Sequence, residues 1–123
     1  MAKKILLIED EEIIVEFLQK RLNKEGYEVS LARNGEKGLQ MMRETKPNLV
    51  LLDIILPQKG GFEVMEQMEK ESELKLIPVI VISNSGQLSE LDRAKRLGAK
   101  NWIIKTEFDP QEIINKIVRQ IAK

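Results

Sequence analysis

The chain has 123 residues, neither cysteine nor histidine, and 20 basic side chains against 20 acidic ones. This length is typical of a single domain, which we expect to fill residues 1–123, and the zero net charge gives no support for attraction to nucleic acid or to a membrane surface. Without histidine or cysteine, a His–Cys metal site and a Ser–His or Cys–His nucleophile pair are excluded, so any bound metal must have oxygen ligands. No apolar run approaches the roughly 20 residues that span a bilayer, and we expect a cytoplasmic protein.

Five short apolar runs predict the strands of a sheet. Four of them are almost continuously apolar or β-branched, which is typical of strands buried on both faces of a parallel sheet. The second run, "YEVSLA", mixes polar with apolar residues, as an edge strand does. The predicted strands occupy residues 4–8, 27–32, 49–52, 78–82 and 101–104.

Amphipathic patterns between these runs predict helices. The fourth pattern begins at Ser89, with Asp92 three residues later as a variant of the capping box, and Gly98 ends it. The last pattern begins with Asp109 as the cap and Pro110 at the first helical position. The predicted helices occupy residues 11–25, 35–45, 62–70 and 89–97, and the last one continues from Asp109.

The regular alternation of strands and helices predicts the fold class. It indicates an α/β fold with a doubly wound, five-stranded parallel sheet and helices on both faces. Right-handed crossovers restrict the topologies, and five strands most simply take the order 2-1-3-4-5.

Chemically active side chains follow four of the five predicted strands. Glu9 and Asp10 come after the first strand, Asp53 after the third, Ser83 after the fourth and Lys105 after the fifth. In the order 2-1-3-4-5 these four strands are neighbours, and ligands of such sheets bind beyond their carboxyl ends. We therefore expect one site with three acids, a hydroxyl and an ammonium group.

Phosphoryl transfer is the chemistry that this set of groups suits best. Three close carboxylates repel one another unless a cation lies among them, and oxygen ligands suit magnesium or manganese. A carboxylate is also a competent nucleophile toward phosphorus. The metal, the Ser83 hydroxyl and the Lys105 ammonium can neutralise the phosphoryl oxygens, so Asp53 is predicted to be the acceptor.

Four motifs, "IEDEE", "LVLLDIILPQKGGFEV", "VIVISNS" and "GAKNWIIK", resemble those of the receiver domain of bacterial response regulators. The resemblance extends from "KKILLIEDEE" to "IINKIVRQIAK" and implies the flavodoxin- or CheY-like fold. It implies that a histidine kinase or a histidine phosphotransfer protein phosphorylates Asp53 in two-component signalling. It further implies that Glu9, Asp10, Asp53 and the backbone carbonyl of Ile55 bind magnesium.

The resemblance also implies how the phosphoryl group is held and read. Ser83 and Lys105 would stabilise it, Ser83 and Trp102 would form the switch, and Ile55 and Ser85 would tune its hydrolysis. The domain would take phosphate from a small phosphodonor with magnesium and lose it slowly, which is self-modification rather than enzyme turnover. A downstream protein target would bind the face of the fourth helix, fifth strand and fifth helix, and we expect a monomer or weak homodimer without direct contact to nucleic acid or membrane.

Four positions depart from the family's usual pattern. Glu9 replaces the commoner aspartate, and Asn84 stands where a small residue is preferred. Thr106 follows Lys105 where the family usually has a proline in a cis bond, and a cis bond before another residue costs about 2.5–4 kcal/mol. Trp102 is larger than the usual tyrosine or phenylalanine.

Other functions found on this fold require residues that the chain lacks. A nucleotide or flavin binder needs a glycine-rich turn after the first strand, where this chain has "EDEE". A phosphohydrolase with an aspartate nucleophile commonly has a second acid where this chain has Ile55. A receiver-like docking module that accepts no phosphate remains an alternative. So do plainer roles: Glu9 and Asp10 as helix caps, Ser83 as a turn former and Trp102 as a packing residue.

Overall fold

Strands and helices alternate along residues 2–122, which the computed structural model of the protein describes. The strands are β1 (Lys4–Ile8), β2 (Glu28–Ala32), β3 (Leu49–Asp53), β4 (Val79–Ser83) and β5 (Asn101–Ile104). The helices are α1 (Glu12–Lys24), α2 (Gly35–Thr45), α3 (Gly61–Glu69), α4 (Leu88–Arg96) and α5 (Pro110–Ile121), and a 3-10 turn spans Lys105–Glu107. All strand pairs are parallel in the order β2-β1-β3-β4-β5, so the predicted fold class and strand order are confirmed.

The strand sequences alternate between two cores, one on each face of the sheet. Along β3, Leu49 and Leu51 pack with α1 and α5, while Val50 and Leu52 pack with α2, α3 and α4. Every residue of β3 and β4 is buried, which explains why their sequences lack polar alternation. Truncating one of the buried leucines or isoleucines to alanine costs about 2–5 kcal/mol, so close packing holds the centre of the sheet beneath the residues at its carboxyl edge.

A side-chain cap marks the start of α5 but not the start of α4. The predicted cap at Asp109 is confirmed, since its side chain accepts a hydrogen bond from the Glu112 backbone N–H at 3.3 Å. The predicted cap at Ser89 is wrong, because α4 already begins at Leu88 and the preceding Gln87 makes no side-chain cap bond. The remaining predicted boundaries differ from the observed ones by one residue or agree with them.

A close backbone approach joins the end of β3 to the start of α3. The Gly61 N–H donates to the Ile54 carbonyl at 2.8 Å. A Cβ atom on Gly61 would collide with the backbone of Asp53 and Ile54, so only glycine fits without displacing this segment. The connection therefore holds the last residue of β3 against the first turn of α3.

No helix among residues 2–122 is long and apolar enough to cross a membrane.

Candidate functional site

Asp53, the last residue of β3, lies at the centre of the carboxyl edge of the sheet. It is only 2% exposed although it is ionisable. Its Oδ1 accepts a hydrogen bond from the Ile55 backbone N–H at 3.1 Å, and its Oδ2 accepts one from Lys105 Nζ at 3.0 Å. The apolar strand β3 thus ends in a buried carboxylate, and both oxygens of that carboxylate have hydrogen-bond partners.

Glu9 and Asp10 follow β1 and bring two more carboxylates to Asp53. Carboxylate oxygens of the three residues lie within 4.8 Å of one another, close enough to hold one metal ion. Glu9 is fully buried, whereas Asp10 is exposed. Glu9 Oε1 accepts from the Glu11 backbone N–H at 3.1 Å, so the plainer role as a helix-start acceptor applies to one of its oxygens.

The other oxygen of Glu9, Oε2, is buried and has no hydrogen-bond partner. No protein group satisfies this oxygen, and a buried acceptor normally has a partner, so Oε2 is a candidate ligand atom for a cation. Because all three side chains offer only oxygen, the ligand set suits a hard cation such as magnesium or manganese. The residues present therefore fit the metal that the sequence predicted.

Lys105 is the positive group that faces the cluster. Its Nζ lies 3.0 Å from Glu9 Oε1, 3.0 Å from Asp53 Oδ2 and 3.3 Å from Glu11 Oε2. No peptide bond among the described residues is cis, so the bond between Lys105 and Thr106 is trans. Lys105 reaches the carboxylates without the proline that the related family usually has after it.

The electrostatics of the cluster show a shortage of positive charge. Burial, together with the hydrogen bond and negative charge of Asp53, raises the pKa of Glu9 to about 8, although Lys105 acts in the opposite direction. Burial tends to lower the pKa of Lys105, but its bonds to Glu9 and Asp53 outweigh that effect and raise it. Lys105 therefore stays charged at neutral pH, and its charge does not suffice to hold the pKa of Glu9 at its ordinary value.

Ser83 ends β4 at the same edge, but its hydroxyl bonds elsewhere. It is 1% exposed, its Oγ accepts from the Gly86 backbone N–H at 3.0 Å, and it donates to Glu90 Oε1 at 3.1 Å. These bonds agree with the turn-forming role of Ser83. Glu90 was not among the predicted site residues, because its contact depends on the shape of the loop before α4.

The other predicted residues surround this centre. Ile55 is exposed and touches the site through its backbone, and Ser85 is exposed in the loop after β4. Trp102 in β5 is partly buried against the core formed with α2, α3 and α4, and its carbonyl accepts from Lys116 Nζ at 2.9 Å. The structure thus brings Glu9, Asp53 and Lys105 into direct contact, while Ser85 and Trp102 lie outside that contact.

Exposed apolar residues follow four of the strands and were not predicted. Five large hydrophobic residues are exposed among the described ones, and four of them lie in segments that follow the carboxyl ends of the strands. These four, which we call the apolar rim, are Ile13, Ile55, Leu88 and Phe108, with exposures of 79%, 59%, 78% and 37%. The fifth, Leu76, lies in the segment that leads into β4.

Comparison with known proteins agrees with this geometry. The family model of the response regulator receiver domain matches residues 5–118. A probable transcriptional regulator, ycf27 of Cyanophora paradoxa, is 36% identical over 94% of this chain and 46% of its own length. The chain spans about half the length of the curated relatives it matches.

Solved structures of response regulators are similar to this chain as well. The phosphorylated cyanobacterial phytochrome response regulator RcpA is 31% identical, with a TM-score of 0.79 over 85% of this chain and 81% of its own. A CheY-like receiver domain protein from Methanospirillum hungatei JF-1 is 28% identical, with a TM-score of 0.88 over 99% of this chain and 95% of its own.

Proposed function

Because the chain belongs to the response regulator receiver domain family, a family of two-component signalling, we propose that it accepts a phosphoryl group on Asp53. The observation that carries this proposal is the contact of buried Asp53 with Lys105 at 3.0 Å inside a cluster of three acids. A carboxylate fixed at the end of a rigid strand and paired with one ammonium group is positioned to attack phosphorus.

The transfer step conserves atoms and charge without a further reactant. An oxygen of Asp53 attacks the phosphorus of a phosphohistidine, a new P–O bond forms, and the P–N bond breaks. The electron pair of that bond returns to the ring nitrogen of the donor histidine. The phosphoryl oxygens then need positive partners, and Lys105 Nζ, already beside Asp53 Oδ2, supplies one of them.

Glu9, Asp10, Asp53 and the backbone carbonyl of Ile55 would hold magnesium or manganese in this site. The raised pKa of Glu9 and the lack of a protein partner for Glu9 Oε2 support that assignment, since a bound cation would relieve both. When bound, the divalent ion supplies the charge that offsets the repulsion between Asp53 and an incoming phosphoryl group.

The donor is proposed to be a protein, a histidine kinase or a histidine phosphotransfer protein. The apolar rim supports this proposal, because a small phosphodonor has no use for exposed isoleucine, leucine and phenylalanine around the acceptor. Its members follow four different strands, so a docking protein would contact the carboxyl edge of the sheet around Asp53.

The phosphorylated state would be read at the face formed by α4, β5 and α5. Ser83 would turn toward the phosphoryl group, and Trp102, in the strand next to β4, would change its packing and alter that face. A target that binds one state better than the other would then detect the phosphate. Ile55 and Ser85 offer no acid or amide to orient a hydrolytic water, which favours a long-lived phosphoryl group.

The test is intact-mass spectrometry after incubation with acetyl phosphate and magnesium. We expect the parent to gain the mass of one phosphoryl group and Asp53→Ala to gain none. Asp92→Ala is the matched control, because Asp92 is an exposed acid of α4, and it should behave like the parent. A parent that takes up no phosphate would favour the alternative of a docking module, and uptake by Asp53→Ala would place the acceptor on another residue.

A further inference from the structure

The hydroxyl group of Ser83 both donates and accepts a hydrogen bond in this structure. Its oxygen accepts from the Gly86 backbone N–H at 3.0 Å, and its proton is donated to Glu90 Oε1 at 3.1 Å. Because a serine hydroxyl has a single proton, it cannot donate to Glu90 and to a phosphoryl oxygen at once. Engagement of Ser83 with a phosphoryl group on Asp53 therefore requires that the bond to Glu90 break.

We propose that Glu90 is a positioning residue that holds Ser83 in the unphosphorylated orientation and competes with the phosphoryl group for its proton. This inference rests on the proposed function of Asp53. Both competitors are anionic acceptors, and hydrogen bonds to charged groups are stronger than bonds between neutral ones. The exchange therefore replaces one charge-assisted bond by another, which keeps the two states of Ser83 close in free energy.

The position of Glu90 gives the exchange a structural consequence. Glu90 is in the first turn of α4, and this helix has no side-chain cap at its start. The Ser83–Glu90 bond therefore ties an uncapped helix start to the end of β4. Gly86, between them, has a φ of +70°, and a Cβ atom there would lie 2.7 Å from the side chain of Ile104, so the loop is held tightly. Release of Glu90 would free the start of α4 at the surface proposed to bind the target.

A simpler role for Glu90 makes a different prediction. An acid in the first turn stabilises a helix through its dipole, and its negative charge repels any nearby phosphoryl group. Neither effect needs the Ser83 hydroxyl. The two roles are therefore separated by whether the effect of removing Glu90 depends on Ser83.

The experiment measures the affinity of the full chain for beryllium fluoride, a stable mimic of the phosphoryl group, by titration calorimetry at saturating magnesium. Glu90→Ala should bind about tenfold more tightly than the parent, because one hydrogen bond of about 1.4 kcal/mol no longer competes. Glu90→Gln keeps a neutral acceptor and should show a smaller increase. Asp92→Ala, which removes an exposed acid from the same helix, should bind like the parent.

A double-mutant cycle with Ser83→Ala decides the mechanism. In the Ser83→Ala background, Glu90→Ala should leave the affinity unchanged, because the proton in dispute is absent. An equal increase with and without Ser83 would overturn the proposal in favour of simple charge repulsion, and so would no increase in the parent background. If Glu90→Ala unfolds, the nearly isosteric Glu90→Gln carries the cycle. A parent that binds no beryllium fluoride would instead refute the proposed function.

Discussion

Gly61 offers a way to move Asp53 without touching the chemistry of the site. A Cβ atom at Gly61 would overlap the Asp53 carbonyl and approach the Ile54 Cα atom to 2.7 Å. Both are backbone atoms, so no side chain can rotate away to make room. Gly61→Ala should therefore push the end of β3 away from the first turn of α3 and carry the Asp53 carboxylate with it.

The magnitude follows from the nature of the overlap. Overpacking of this kind costs about 1–3 kcal/mol, and alanine returns up to about 1 kcal/mol of helix propensity in α3. With the full offset, a net loss of up to about 2 kcal/mol should lower the midpoint of urea unfolding by up to roughly 1 M. A displacement of about 1 Å at a reacting atom can slow a reaction by about a hundredfold. Gly61→Ala should therefore slow phosphate uptake from acetyl phosphate by more than its loss of folded protein explains.

Gly60→Ala is the matched control for this experiment. A Cβ atom there would be 3.6 Å from the nearest atom, the Ile54 carbonyl oxygen, which is an ordinary contact. Both variants are to be compared by urea unfolding and by the rate of phosphate uptake. Equal midpoints and equal rates for the neighbouring substitutions would refute the idea that close packing at Gly61 fixes the position of Asp53.

Three further predictions address the metal, the lifetime of the phosphoryl group and the stability at low pH. Magnesium at a hundredfold excess over its dissociation constant should raise the melting temperature by about 10 °C, and Asp10→Asn should remove most of that rise; an unchanged response would exclude Asp10 as a ligand. Ile55→Asn should shorten the phosphoryl lifetime measured by intact mass, since the amide can orient water, and an unaltered lifetime would contradict the proposed role of Ile55. The hydrogen bonds from Arg43 and Gln67 to Glu71 lower the pKa of Glu71 to about 2. The stabilisation by Glu71 should therefore be present above pH 4.5 and disappear as the pH falls toward 2, so that Glu71→Gln and parent converge in acid urea titrations.

Four of the five strands could be predicted from composition alone, because their sequences are almost continuously apolar. A strand that is buried on both faces cannot alternate, and continuous apolar runs such as 49–52 rarely form any other element in a chain of this length. The predicted and observed strand boundaries differ where the apolar run and the hydrogen-bonded ladder do not end at the same residue. Tyr27 belongs to an apolar run but precedes the β2 ladder, and Asp53 is polar but still belongs to β3. Hydropathy cannot detect such residues, because the ladder is formed by backbone atoms.

The centre of the site could be predicted because parallel strands bring their ends together. Glu9, Asp53 and Lys105 are separated by up to 96 positions in the sequence, yet the strand order alone makes them neighbours. The contact of Ser83 with Glu90 could not be predicted in the same way. It depends on where α4 begins and on how residues 84–87 turn, and the prediction that Ser89 caps this helix was wrong. Loop shape and helix phase are set by tertiary packing, which a single sequence does not reveal.

The acidic edge costs the protein stability that an apolar edge would retain. Glu9 is buried beside a second buried acid, Asp53, and the cost of that burial is seen in the raised pKa of Glu9. The hydrophobic cores on both faces of the sheet can offset this cost, because a domain needs only a few kcal/mol of net stability. A cation bound among the acids would relieve this cost. The free energy released on binding could then drive structural changes elsewhere in the domain. The cost of burying Glu9 and the competition for the proton of Ser83 would then act together. A site that is poorly satisfied when empty responds strongly when a cation and a phosphoryl group arrive, and the Ser83–Glu90 bond is close enough in energy to be exchanged.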